Sequence, residues 1–174
     1  MPADHDCSVQ FRSDGLGLSP AEYARLLAEI AEGRGIDVDD YSRGGIIAEL
    51  EERMAALLGK ETAVFLPTGT LANHLAVRRL AQGRGRRVLV QQESHLWNDE
   101  GDCATTLSGL TLVPLAPGRA TISLAEIGQA VAGAPEMRVA VPVGAIAIET
   151  PVRRLAGEAF GPAEMRAISR FARE

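Results

Sequence analysis

Ala63-Val64-Phe65-Leu66-Pro67-Thr68-Gly69-Thr70-Leu71-Ala72-Asn73 decides the fold. It reads as a short buried strand handed over, through a glycine flanked by two hydroxyls, to a helix running from Leu71 to Gln82. Downstream the alternation continues. Val88-Leu89-Val90 and Leu110 to Leu115 are predicted strands, and Ser123-Leu124-Ala125-Glu126 opens a helix with a capping box. Val139 to Ile148 is an apolar strand region interrupted by Pro142 and Gly144, and Pro162 starts a helix that turns Met165, Ile168 and Phe171 inward. Strands alternating with helices require right-handed crossovers, so the fold class is α/β, three-layered, with a mostly parallel sheet covered by helices.

Upstream the pattern is helical. Ser19-Pro20-Ala21-Glu22 combines a capping serine, proline at the first helical position and glutamate three residues after the cap, and Tyr23, Leu26, Leu27 and Ile30 follow at helical spacing. That helix ends near Gly33. Gly35 to Gly45 is an acidic, glycine-containing loop, and Ile46, Ile47, Leu50, Met54, Leu57 and Leu58 build a second amphipathic helix that stops at Gly59.

Composition narrows the function classes. With 174 residues and 46% hydrophobic content the chain can fill a core, and its net charge of -5 provides no basic field for nucleic-acid phosphates. The basic cluster Arg84-Gly85-Arg86-Arg87 reads as a solvated turn. Cys7 and Cys103 are far apart and lack the close Cys/His spacing of a zinc site, so reduced thiols and no metal are expected. No apolar run has the length of a bilayer span and the first six residues are acidic, which predicts a soluble, cytoplasmic protein.

Thr68-Gly69-Thr70 is the chemistry-bearing motif. At a helix start the unpaired N–H groups and the positive end of the dipole favour an anion, glycine admits close approach, and threonine hydroxyls add donors. The same triplet is also an ordinary helix cap. It has neither the Gly-x-Gly-x-x-Gly pattern of dinucleotide sites nor the Gly-Lys-Ser/Thr ending of a P-loop, although an unrelated α/β nucleotide binder stays open.

Taken together, Tyr41, Gly44-Gly45, Leu50-Glu51-Glu52, Leu58-Gly59-Lys60-Glu61, Leu66 to Asn73, His95 and Glu100-Gly101 resemble the threonine aldolase and beta-eliminating lyase family of fold type I pyridoxal-phosphate enzymes. The similarity runs from about Ser13 to the last residue. It implies a lyase that uses pyridoxal 5'-phosphate to cleave a β-hydroxy amino acid into glycine and an aldehyde. By the same resemblance Thr68, Gly69 and Thr70 hold the cofactor phosphate, while His95 lies over the pyridine ring and assists proton movement. Glu100 matches a glutamate close to the active site. The resemblance also implies that Tyr41 lies near the substrate pocket and subunit contact, and that Ser13 binds the substrate carboxylate. From the residues alone, His95 is also a plain histidine after a strand, Glu100 a carboxylate favourable to a helix dipole, and Tyr41 a packing group.

Departures qualify the match. Where the family shows Glu-Asn-Thr-His-Asn this chain has Glu149-Thr150-Pro151-Val152-Arg153, keeping only Glu149, which suggests a divergent branch. Arg153 and Arg154 read as solvent-facing or as partners for a carboxylate. The family's Asp-Gly-Ala-Arg segment and its Schiff-base lysine would lie after Glu174, and the chain's single lysine, Lys60, corresponds to a structural turn. The expectation is therefore an amino-terminal part, inactive alone. Residues 1–34 form an amino-terminal segment and helix, and 35–174 the first part of the cofactor-binding large domain. Its expected partners are an amino acid substrate and further copies in a homodimer or homotetramer, possibly completed by the missing carboxy-terminal half; a non-catalytic protein that keeps the fold for binding or assembly is the alternative.

Overall fold

The structure is a computed structural model that describes residues 17–36, 41, 43–134 and 138–174. Ser13 and Cys7 lie outside the described residues. The chain forms two compact units, one ending at Phe65 and the other running from Leu66 to Glu174.

In the first unit, α1 spans Pro20–Arg34 and starts with the capping box that the sequence predicts. The Glu22 carboxylate accepts the Ser19 N–H at 2.8 Å, and the Ser19 hydroxyl accepts the Glu22 N–H at 3.4 Å. Tyr23, Leu27 and Ile30 stay exposed on this helix. Helix α2, Gly45–Leu58, ends at Gly59 in the left-handed region (φ 61°), where the Lys60 N–H reaches back to the Ala55 carbonyl at 2.9 Å. A positive φ there is cheap only for glycine. Lys60 is thus part of the turn that closes a helix.

One expectation fails in this region. Residues 63–66 form no strand: Val64 is 73% exposed, and the Phe65 N–H donates to the Glu51 carboxylate at 2.7 Å rather than to a neighbouring strand. Extended backbone becomes a strand only where a second strand satisfies its polar groups, and no partner for this segment stands among the described residues.

The second unit is an α/β layer structure. Helix α3 (Gly69–Ala81) precedes β1 (Arg87–Gln91), which is followed by two short helices, α4 (His95–Asn98) and α5 (Cys103–Ser108). Then come β2 (Thr111–Leu115), α6 (Leu124–Gly133), β3 (Val143–Ile146) and α7 (Pro162–Phe171). The three strands are parallel in the order β2-β1-β3. Side chains alternate across β1, as a strand demands. Val88 and Val90 pack with Val77 and Ala81 of α3, Leu96 and Ala104, whereas Leu89 packs on the opposite face with Ile127 of α6, Ile168 of α7 and Phe160. Burial on both sheet faces accounts for the continuous apolar run of β1. No helix among the described residues is long and apolar enough to cross a membrane.

Pro142 and Gly144, which interrupt the apolar run near β3, have a common cause. Arg87 pairs with Val143 but Val88 pairs with Ala145, so Gly144 is an extra residue bulged out of the ladder. Its backbone lies against Gly85: a Cβ on Gly144 would stand 2.2 Å from the Gly85 carbonyl oxygen, and one on Gly85 2.2 Å from that of Pro142. Two glycines therefore let the turn before β1 meet the start of β3. Gly144→Ala should cost about 1–3 kcal/mol by forcing the two backbones apart, seen as a lower urea midpoint, and an unchanged midpoint would show that the contact carries no constraint.

Candidate functional site

The site is assembled at the carboxyl ends of the strands and the start of α3. Thr68 has extended backbone (φ -142°, ψ 148°), and its hydroxyl accepts the Leu71 N–H at 3.1 Å while its carbonyl accepts that of Ala72 at 3.1 Å. Helical geometry then leaves the Gly69 and Thr70 N–H groups without a carbonyl inside the helix. Nothing lies within 4 Å of where a Gly69 Cβ would stand. The start of α3 is thus an open cradle of donors unpaired among the described residues, with the chemistry to hold an anion such as a phosphate.

His95 enters this cradle from α4. Its Nε2 lies 3.3 Å from the Thr70 hydroxyl, so the two motifs singled out in the sequence, 25 residues apart, meet side by side. Helix α4 is capped by Ser94, whose hydroxyl accepts the Trp97 N–H at 3.3 Å. The His95 backbone N–H donates to Glu149 Oε2, and Glu149 Oε1 accepts the Arg153 N–H at 3.1 Å.

Glu149 is itself held by Gln91, a residue the sequence analysis passed over. The Gln91 side-chain carbonyl accepts the Glu149 N–H at 2.8 Å, and its Nε2 donates to the Glu149 carbonyl at 2.9 Å and to the Ala120 carbonyl at 2.7 Å. A glutamine closing the run Val88-Leu89-Val90 was the available signal. A fully buried amide at the end of an apolar strand must find partners.

Two carboxylates flank the imidazole. On the Nδ1 side stands Asp99, with Oδ2 at 3.3 Å. Arg153 donates to Asp99 at 2.8 Å and Arg154 at 3.1 Å, and Arg153 above all holds the Asp99 carboxyl below the usual range. The arginines therefore reach a carboxylate while remaining partly exposed. On the Nε2 side is Glu100, with Oε1 at 3.8 Å, its side chain 1% exposed and neither oxygen in a hydrogen bond among the described residues. It stands between α4 and α5 rather than at a helix start. Burial pushes its pKa up, against the pull of His95 and His74. His74, buried on α3, pairs with the Ser108 hydroxyl at 2.8 Å. Tyr41 belongs to the other unit, where it is strongly exposed with φ 53°.

These residues stand where open α/β sheets place their ligand sites, outside the carboxyl ends of the strands. The chain belongs to the beta-eliminating lyase family, whose model matches residues 10–174. Low-specificity L-threonine aldolase 1 of Arabidopsis thaliana is 32% identical over 103 residues, which is 59% of this chain and 28% of that protein. The low specificity L-threonine aldolase of Escherichia coli K12 is 34% identical over 107 residues, 62% of this chain and 31% of that one. A crystal structure from Listeria monocytogenes described as an L-allo-threonine aldolase superposes with a TM-score of 0.73 at 28% identity, covering 90% of this chain and 42% of that chain. The chain thus spans less than a third of these curated relatives and less than half of the solved structure.

The buried acid makes a pH prediction. An unfolded glutamate loses its proton near pH 4.3, whereas folded Glu100 keeps it to higher pH. Between those values the folded state binds more protons, so unfolding free energy falls as pH rises. Relative to Glu100→Gln, the wild-type chain should lose stability from about pH 4 upward in denaturant titrations, and parallel pH profiles for the two proteins would contradict this.

Proposed function

We propose that this chain supplies the phosphate- and ring-binding part of a pyridoxal 5'-phosphate-dependent lyase of the threonine aldolase type, which cleaves a β-hydroxy amino acid to glycine and an aldehyde. Membership of the beta-eliminating lyase family supports the reaction class. The observation that carries the reading is the 3.3 Å approach of Thr70 Oγ1 and His95 Nε2 beside the unpaired amides of α3. An anion cradle and a flat imidazole within one ligand's reach suit a phosphorylated aromatic ring better than phosphate alone.

The roles follow from the contacts. Gly69 and Thr70 would receive the phosphate at the α3 N-terminus, with Thr68 holding the helix end open beneath it. His95 would cover the ring face and take the proton of the substrate hydroxyl at Nε2 as the Cα–Cβ bond breaks. Glu100, buried and inclined to stay protonated beside that nitrogen, would be a proton store for the return step. Bound pyridoxal phosphate supplies the electron sink for charge developed at Cα. Ser13 and Tyr41 keep the substrate-side roles that the resemblance implies.

We assign a homodimer or homotetramer, in which a second copy would cover the apolar side chains left exposed on α1 and α2, and a cytoplasmic location. The one lysine, Lys60, closes α2 in the other unit and favours a second reading for these residues taken alone, binding without turnover.

Trp97, the only tryptophan, sits on α4 and reports on the site. Pyridoxine 5'-phosphate, which has no aldehyde for Lys60 to capture, should quench it saturably. Binding should weaken about tenfold or more for unphosphorylated pyridoxine and in Thr70→Val, the size expected for losing hydrogen bonds to a charged group. Equal affinity for both compounds, or no saturation, would remove the phosphate from this site.

A further inference from the structure

Helix α4 has four residues, too few to fix its own orientation. Its pose is imposed by residues 149–154. Glu149 takes the His95 backbone N–H at the start of the helix, and Arg153 and Arg154 grip the Asp99 side chain at its end. Val152 between them is fully buried, and its N–H is bound to the Glu158 carbonyl at 2.9 Å, so the gripping segment is itself anchored.

We propose that Asp99 is the positioning residue for His95, fixing the imidazole as the Nδ1–H tautomer so that Nε2 presents its lone pair to the α3 cradle. The assignment of a working role to Nε2 rests on the functional reading above. The tautomer itself follows from donor and acceptor inventories. An ionised carboxylate only accepts, so its charge favours hydrogen on the nitrogen that stands 3.3 Å from Asp99. The other nitrogen then accepts, and the Thr70 hydroxyl facing it at 3.3 Å can donate.

The arginines define the part that Asp99 plays. Guanidinium groups only donate, and one binds each Asp99 oxygen, Arg153 on Oδ2 and Arg154 on Oδ1. The carboxylate is thereby oriented with Oδ2 shared between Arg153 and His95. Two of these three side chains are well exposed, so the cluster adds little stability. Its product is direction. An asparagine at 99 cannot reproduce the arrangement, because its NH2 would face either a guanidinium or the imidazole.

The test needs no cofactor, which separates it from the functional reading. Two-bond 1H–15N correlation spectra of the 15N-labelled 174-residue chain, recorded above the imidazole's titration, report which His95 nitrogen carries the proton. In the wild type Nδ1 should resonate in the protonated range and Nε2 in the unprotonated range. Asp99→Asn should shift Nδ1 toward the unprotonated range, Asp99→Glu should restore it, and the His74 signals should stay in place. An Nε2–H wild type, or an Asp99→Asn spectrum with the wild-type tautomer, overturns the proposal. Should Asp99→Asn not fold, the double variant Arg153→Gln/Arg154→Gln decides: a fall in the Nδ1–H fraction supports the clamp and an unchanged fraction refutes it. Expected tautomers without pyridoxine 5'-phosphate binding would sink the functional reading alone, and binding with the other tautomer would sink only this one.

Discussion

The site hangs on the side-chain amide of Gln91. Fully buried at the end of β1, it exchanges two hydrogen bonds with the Glu149 backbone and gives a third to Ala120, tying together the carboxyl end of β1, the loop after β2 and the segment after β3. A buried amide left without those partners would be costly, so the three chain segments converge or the fold loses several kcal/mol of the order assigned to unpaired buried groups. Glu149 is delivered by this convergence, and Glu149 delivers His95. The candidate site thus stands where a parallel sheet offers one, outside the carboxyl ends of its strands.

Around His95 the protein separates two acids by environment. Asp99 is partly solvated and bound by two guanidinium groups, which favour the charged form. Glu100, the next residue, is enclosed, its oxygens without a hydrogen bond among the described residues, and burial favours the neutral form. One acid faces Nδ1 and the other Nε2, so each nitrogen of a single imidazole meets a carboxyl group of opposite inclination. Sites that move protons are commonly built from titratable neighbours pushed apart in this way.

Much of this was legible in residue patterns because it is local. Capping boxes at Ser19 and Ser123, glycine ends such as Gly59 and the apolar run of β1 depend on neighbours a few positions away. The Thr68-Gly69-Thr70 triplet and His95 were legible only in combination, since either taken singly is an ordinary cap or an ordinary histidine. What escaped was long-range. Residues 63–66 have strand composition, but strand formation depends on a partner that no local pattern supplies. The pairing of Gly85 with Gly144 and the grip of Arg153 and Arg154 on Asp99 join positions more than fifty residues apart. Gln91 was hidden because a polar residue closing a strand resembles an ordinary strand end.

In the proposed function the α3 N-terminus and the His95 ring serve one phosphorylated ring ligand. Chemical-shift mapping of the labelled chain during addition of pyridoxine 5'-phosphate tests it most directly. Saturable, concurrent perturbation of the Gly69 and Thr70 amides and the His95 ring nitrogens is the predicted result. Perturbation of His95 with silent Gly69 and Thr70 amides, or of a surface remote from both, would contradict it.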